Sequence, residues 1–562
     1  MKKWQIENKL KVQSSKFKVG DLVRILLENR GIKSKTEMDD FLNPKLSDVT
    51  IKSVKIDKAN LQKALNRIHK AIKSNEKIII YGDYDVDGIC GTAILWETLN
   101  SLKANVMPYI PSRFSEGYGL SKEGIDVLIK NENLGLIITV DNGIVANEAV
   151  DFAKKQGIDV IITDHHVPSK KLPNAFSIVH TTLLCGAGAA YLLANSIWQV
   201  ANSRKTTRHS PYATSHLELV ALATVADLVP LTKANRTLVK FGLLSLQKTK
   251  RVGLLALIEK SKIKKEEIGV YEVGHIIAPR LNAMGRLSSA MDSLRLVCTN
   301  NRKRAEDLSG ILSKTNFERQ QLTVDILNHA RNKVREKTLK NLIFIADESY
   351  QQGIIGLVAG RLVEEYYLPS IVISKGKEFS KASARSVKGF NIIEFLREAS
   401  DLLVDVGGHP MAAGFTVETK NLELLEKKLF ASALKLIKKE HLERVLRIDL
   451  ELPESFINLN TYSQIQKLAP FGMANPEPTF LTRNMIVENI RLVGNDGKHL
   501  KFNFQFPISN FQCQGIYFGA GDNNKFSIGD NVDVVYTLDE NEWLGNKTLQ
   551  LKIKDLKIHL TD

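Results

Sequence analysis

Cysteine is scarce in this chain: four in 562 residues, at Cys90, Cys185, Cys298 and Cys513, with no CxxC spacing. That excludes a disulfide framework and a zinc knuckle and fits a reduced, cytoplasmic setting. Long apolar runs are missing too. None reaches 18 residues, so no membrane-spanning helix is expected. Met1-Lys-Lys-Trp-Gln-Ile-Glu7 has basic residues with no apolar stretch behind them, so no secretory signal is expected. No internal repeat or low-complexity tract is evident.

What is present is the composition of an ordinary globular protein, 43% hydrophobic and 25% charged, on a chain long enough for three or four domains with real cores. The net charge of +16 is less ordinary. Lys and Arg are spread along the chain rather than gathered in a tail. An evenly basic surface serves solubility, and it equally fits a polyanionic partner such as nucleic acid.

The richest signal is a set of apolar runs that each end in acidic or His residues. Lys77-Ile-Ile-Ile-Tyr81 runs into Gly82-Asp83-Tyr84-Asp85-Val86-Asp87-Gly88. Leu136 to Val140 runs into Asp141-Asn142-Gly143, and Asp159 to Thr163 runs into Asp164-His165-His166. Ala221 to Ala226 runs into Asp227. Short runs bounded by Gly and Asp, with helical stretches between, predict parallel strands of an α/β sheet. Ligands of such sheets gather outside the carboxyl ends of the strands. An Asp after a strand is often only a turn or a helix cap. Five or six carboxylates and two imidazoles on one rim are another matter, because they cannot stay ionised together without cations. The combination predicts a divalent metal centre.

Composition also divides the chain. A helical, basic lead-in is expected over 1–57, a catalytic α/β domain over 58–240, and a helical connector over 241–340. The stretch from Lys248 to Lys265, with Arg251, reads as a solvated helical face. Leu308, Ile311, Leu312, Leu322, Ile326 and Val334 stand at helical spacing and predict one long helix from about 302 to 337. A second α/β domain is expected over 341–448. Short alternating runs such as Lys501 to Phe506 and Asn531 to Tyr536 predict a small β-barrel over 449–562. Phe502, Phe504 and Phe506 share one face of a strand, beside Lys498 and Lys501. At least two of the three are expected in the core. Gly186-Ala-Gly188, ahead of an apolar helical run, would let a helix end approach a ligand closely, and it equally fits tight helix packing; no catalytic role is assigned to it.

Asp83-Tyr-Asp-Val-Asp-Gly88, Val140-Asp-Asn-Gly143, Thr163-Asp-His-His166 and Ala223-Thr-Val-Ala-Asp-Leu-Val-Pro230 resemble successive motifs of the DHH phosphoesterase superfamily. Within it, Pro279 to Leu287, Gly407 to Phe415 and Leu468 to Pro478 are similar to the bacterial RecJ exonucleases. The resemblance extends, in order, over essentially everything past residue 55. It implies a DHH and a DHHA1 domain joined by a long helix, followed by an OB-fold. The activity it implies is metal-dependent removal of 5′-mononucleotides from the 5′ end of single-stranded DNA, in recombination and repair. Duplex DNA would be rejected if the strand enters by a narrow passage between the α/β domains. A helicase and a single-strand-binding protein are the implied partners.

By the same resemblance Asp141 bridges two metals, Asp87, His165 and Asp227 complete one site, and Asp85 belongs to the other. Asp83 is a ligand or an acceptor behind the ligands. His166 contacts the scissile phosphate, protonates the leaving oxygen, or is itself a ligand. Imidazole beside carboxylate favours Mn²⁺, with Mg²⁺ as the alternative. Arg113, Ser383 and Arg385 resemble a pocket for the 5′-terminal phosphate, since a guanidinium fork suits phosphate. Arg280 and Asn282 resemble residues lining the strand's path. Gly407, Gly408 and His409 offer exposed backbone and a donor for a phosphate near the rim. The barrel is expected to hold the incoming strand.

The pattern departs from the family in three places. Asn-Pro is missing after Ile178-Val-His180, Tyr350-Gln-Gln-Gly353 replaces a Trp-His sequence, and Ala474 stands where Gly is common. None removes a candidate ligand. Two other readings are a DHH phosphodiesterase for oligoribonucleotides or cyclic dinucleotides, and a non-catalytic replication scaffold. The barrel speaks against the first and the complete ligand set against the second.

Overall fold

The computed structural model describes residues 2–8, 18–112, 116–117, 119–130, 134–202, 215–336, 341–494, 496–507, 511–543 and 546–560. They form two compact units. One contains residues 50–229 and 241–444, the other residues 1–49, 230–240 and 445–562.

The first unit holds two five-stranded sheets. One is wholly parallel, in the order Val106–Tyr109, Lys77–Tyr81, Leu134–Val140, Asp159–Asp164, Ser177–His180. Its strands read as unbroken apolar runs because both faces are covered. The chain leaves Lys77–Tyr81 toward one edge and returns to its other side. The loops after Tyr81 and Val140 therefore flank the switch point of the sheet, where ligands of such folds bind. The second sheet is mixed, in the order Leu403–His409, Ala412–Glu418, Phe379–Arg385, Ser370–Ser374, Ile343–Asp347. Between the sheets in sequence runs the 35-residue helix Arg302–Glu336, roughly 50 Å long. It buries Ala305, Leu308, Leu312, Ile326, Leu327, Ala330 and Val334, whereas Ile311 faces solvent.

Two elements of this unit differ from expectation. Residues 221–226 are not a strand but the last turns of the helix Leu217–Ala226, which is buried almost all round. A helix apolar on every face has no 3.6-residue period to betray it. The segment after Lys248 is not merely a solvated face: the helix Val252–Lys260 buries Leu254, Leu257 and Ile258. Arg251 is drawn into a partly buried network, donating to Glu97 (2.7 and 2.8 Å) and Glu218 (2.6 Å), while His216 meets Glu97 at 2.8 Å.

In the second unit Phe480–Val493, His499–Gln505, Gln512–Tyr517, Asn546–Ile558 and Asn531–Trp543 close into a five-stranded barrel. Val445–Glu451 and then Lys3–Asn8 extend the sheet, so the expected helical lead-in opens with a strand. The helix Val19–Asn29 contributes Leu22, Ile25 and Leu26 to the barrel's core. Phe502, Phe504 and Phe506 are all buried in that core, the first two stacked at 5.2 Å. Residues 230–240, expected with the first α/β domain, pack in this unit through the buried Arg236. Its guanidinium lies 3.8 Å over the Phe41 ring and donates to the carbonyls of Phe41, Leu468 and Lys467.

Candidate metal centre

The loop after Tyr81 bends tightly enough to bring three carboxylates together. Gly82 and Gly88 permit this. A Cβ on Gly82 would fall 2.0 Å from Thr92 Oγ1, and one on Gly88 2.5 Å from the backbone nitrogen of Asp83. Asp85 caps the helix Val86–Ser101, its Oδ1 accepting from the N–H groups of Asp87 (2.9 Å) and Gly88 (3.1 Å). Asp87, in the first turn, is buried and accepts from the N–H groups of Gly186 (2.7 Å) and Ala187 (2.6 Å). These open the helix Gly186–Ala201, so a helix N-terminus steadies Asp87. Gly186 is required there because a Cβ would lie 2.6 Å from that of Asp141. The small residues of the Gly186–Gly188 stretch thus bring a helix end up to the site, the first of the two readings of this stretch.

Asp141 follows its strand with φ 64°, a left-handed conformation Asp tolerates better than most residues. Asp141 Oδ1 is 3.1 Å from His165 Nε2, which also lies 3.7 Å from Asp87 Oδ2 and 3.7 Å from Asp227 Oδ2. Asp227 caps the carboxyl end of the helix Leu217–Ala226. Among the described residues three groups of potential ligand atoms, each within 4.8 Å of one another, result: Asp83–Asp85–Asp141, Asp87–His165–Asp227 and Asp141–His165–His166. Asp141 and His165 each belong to two of them.

Electrostatics favour a cation here. Burial, followed by Asp87, Asp85 and Asp83, pushes the Asp141 carboxyl well above the usual range. Asp85 is raised by burial and Asp87. Burial, with Asp87 and Asp85, lifts Asp227 to about 8. Burial lowers His165, leaving its imidazole neutral and able to coordinate. Protein alone would hold these carboxyls partly protonated, whereas divalent ions would let them ionise. The donor set of carboxylates plus imidazole fits Mn²⁺.

His166 is placed differently. Its Nδ1 is 2.8 Å from Oδ1 of Asp164, which stands in the same Asp-His-His run but was given no role of its own there. Burial pulls the His166 imidazolium down, but the hydrogen bond to Asp164 and nearby carboxylates lift it to about 9.

Ser383 and Arg385 come together on one strand, Arg385 Nη1 donating to Ser383 Oγ at 2.9 Å. Their polar atoms face the first turn of the helix Ile355–Tyr366: a Cβ on Gly356 would lie 3.0 Å from both Arg385 Nη2 and Ser383 Oγ. Arg385 is half-buried and burial lowers its pKa; among the described residues no carboxylate is paired with it. A guanidinium, a hydroxyl and a helix N-terminus in this arrangement can hold an anion. Packed backbone links this site to the rim, because Gly285 sits against the Tyr84 carbonyl and Gly353 against the Arg286 carbonyl. Asn282 contributes to that link by accepting the Val86 N–H at 2.9 Å. Arg280 reaches the Ile276 carbonyl at 2.6 Å. Gly408, at φ 140°, and His409 are exposed on the hairpin between the strands Leu403–His409 and Ala412–Glu418. Arg113 lies outside the described residues.

The fold and the carboxylate–imidazole rim define a DHH phosphoesterase. The DHH family N-terminal domain matches residues 77–224, the DHHA1 domain 338–438 and the RecJ OB domain 448–555. The single-stranded-DNA-specific exonuclease RecJ of Bacillus subtilis is 35% identical, over 99% of this chain and 71% of its own. Crystal structures of RecJ from Thermus thermophilus superpose with TM-scores of 0.81 (with Mn²⁺, 29% identity) and 0.75 (with Mg²⁺, 28%). They match 96% of this chain and 76% and 75% of theirs. The chain belongs to the RecJ family.

Proposed function

We propose that this chain is a metal-dependent exonuclease that takes single-stranded DNA at its 5′ end and releases 5′-mononucleotides. The observation that carries the reading is the sharing of Asp141 and His165 between adjacent groups of ligand atoms, the arrangement a two-metal phosphodiesterase needs. Asp87, His165 and Asp227 would hold one ion and Asp83 and Asp85 the other, with Asp141 between them. Bound divalent ions supply a nucleophile from water at neutral pH and neutralise charge growing on the phosphate.

The chain's own residues do the rest. The site at Ser383, Arg385 and the helix N-terminus grips the 5′-terminal phosphate, and Arg113 is assigned to the same role. The packed backbone between that site and the rim fixes how far the first phosphodiester lies from the terminus. Asp164 keeps the proton of His166 on Nδ1 of the ring and its orientation fixed. His166 then faces the departing 3′-oxygen and gives it a proton as the P–O3′ bond breaks. The shortened strand carries a new 5′-phosphate, ready for the same grip. The basic surface, the exposed Gly407–His409 backbone and the barrel support hold on the polyanion. Mn²⁺ is the preferred ion, with Mg²⁺ as substitute. A helicase and a single-strand-binding protein are the partners that would supply such ends, in the cytoplasm. Among the described residues no helix is long and apolar enough to cross a membrane.

The test is 5′-phosphorylated single-stranded DNA labelled at its 3′ end. Stepwise shortening of the labelled strand in Mn²⁺, stopped by EDTA, is expected. A label released at once as a mononucleotide would reverse the polarity, and binding without cutting would favour a scaffold.

A further inference from the structure

The chain is helical from Val270 to Leu287, and two exposed side chains of that run, Tyr271 and His275, take no part in the centre described above. Its middle, Val273–Ile277, is a π-helical turn just before Pro279. Proline has no N–H for the carbonyl four residues back, here that of His275, so the regular ladder breaks there. Ahead of the break Tyr271 and His275 stand one turn apart with rings stacked, centroids 4.5 Å apart and planes at 18°. Tyr271 is 62% exposed and His275 is also exposed. His275 Nδ1 lies 3.3 Å from the Tyr271 carbonyl, which steadies the pair locally, but a stacked aromatic pair in water buries little and holds no core together.

Its position does suggest a role. A Cβ on Gly274 would lie 3.7 Å from Val225 Cγ1, which places this turn against the end of the helix capped by Asp227. Leu228, directly after Asp227, is 65% exposed and held at φ 57°, so the rim has an apolar edge there. Beyond the break the same helical run carries the half-buried Arg280. Further on come Asn282, bonded to Val86, and Gly285, against Tyr84. Arg286, next in line, leads through Gly353 to the anion site at Arg385. Anion site, metal rim, Arg280 and aromatic pair thus follow one another in order. The eleven residue-to-residue steps from Tyr271 to Asn282 cover about 16 Å at the α-helical rise.

Resting on the exonuclease reading, we infer that Tyr271 and His275 form a stacking platform for an unpaired base on the 3′ side of the scissile phosphate. Aromatic faces accept any base, and Arg280 supplies positive charge for the backbone between platform and rim. The platform gives the enzyme a reason to prefer a strand several nucleotides long over a dinucleotide.

The experiment measures KM and kcat in Mn²⁺ for Tyr271→Ala, His275→Ala and Tyr271→Phe. The substrates are a 5′-phosphorylated dinucleotide, a long single strand, and long strands with one abasic residue at successive positions. Tyr271→Ala should raise KM on the long strand about 5- to 150-fold, the range a lost base stack gives. It should change kcat little and leave KM on the dinucleotide alone, and Tyr271→Phe should restore the wild-type KM. In the wild type one or two abasic positions 3′ of the cut should raise KM, and Tyr271→Ala should be insensitive to them. Equal KM for Tyr271→Ala and wild type on long strands overturns the inference. So does an equal loss on dinucleotide and long strand. A wild-type enzyme that cuts no single strand would overturn the exonuclease reading itself.

Discussion

Asp164 Oδ1 lies 2.8 Å from Nδ1 of His166 and also accepts the backbone N–H groups of His165 at 2.7 Å and His166 at 3.2 Å. Its Oδ2 accepts the Ile144 N–H at 2.9 Å. The carboxylate is thereby fixed on both oxygens, and despite burial the His166 hydrogen bond holds its pKa below the usual range. An ionised acceptor at Nδ1 directs the other ring nitrogen, Nε2, toward substrate.

Asp164→Asn should therefore cut kcat by about 10²–10³, within the usual contribution of general acid–base catalysis. The loss should shrink for a substrate whose leaving group needs no proton, such as a nitrophenyl ester of a nucleotide. It should also be non-additive with His166→Ala. An equal loss on both substrates would assign Asp164 to the ligands rather than to His166.

Gly186→Ala should disable the centre without unfolding the chain. The new methyl must displace the Asp141 loop, so Mn²⁺ affinity is expected to fall on the order of 10–100-fold. Isothermal titration of Mn²⁺ with circular dichroism checks both halves.

Acid should weaken the support behind the rim. Burial opposes ionisation of Glu97, but His216 and Arg251 bring its pKa down to about 2 from an ordinary 4.5. A depressed carboxyl contributes stability that is fully present above its unfolded value and lost as pH falls toward its folded one. The shift is worth about 3 kcal/mol. Glu97→Gln should be less stable than wild type at pH 7, and the gap should close between about pH 5 and pH 2 in denaturant titrations.

Arg236→Met should destabilise the barrel unit by roughly 2–4 kcal/mol, since the stem is kept while buried carbonyls lose a charged donor. Thermal melting measures it.

Ala474 has φ 59° at the position where the family commonly has Gly. Ala474→Gly should relieve about 1 kcal/mol of left-handed strain, less the entropy glycine adds to the unfolded chain. A small rise in melting temperature is expected.

Asp83, Asp85, Asp87, Asp141, His165 and His166 were legible in the sequence because each follows an apolar run that ends abruptly. Asp227 was found through the wrong element, since its run is a helix buried on every side. Asp164 stood in the same Asp-His-His run, but its role was not legible, because it holds a neighbouring His from behind and only geometry tells it from a ligand. The strand Lys3–Asn8 did carry a period-two signal in Trp4 and Ile6, but six residues beside basic helical sequence hid it. The Glu97–Arg251–Glu218 network joins residues up to 154 apart, a distance no local pattern records. The barrel was legible because alternation over five strands survives single exceptions.

The most direct test of the paired centre is a Mn²⁺ titration followed by electron paramagnetic resonance, on wild type and Asp141→Ala. Two ions per chain with a spin-coupled signal, lost together with cleavage in Asp141→Ala, are predicted. One uncoupled ion in the wild type, or Asp141→Ala cutting single strands at the wild-type rate, would contradict the account.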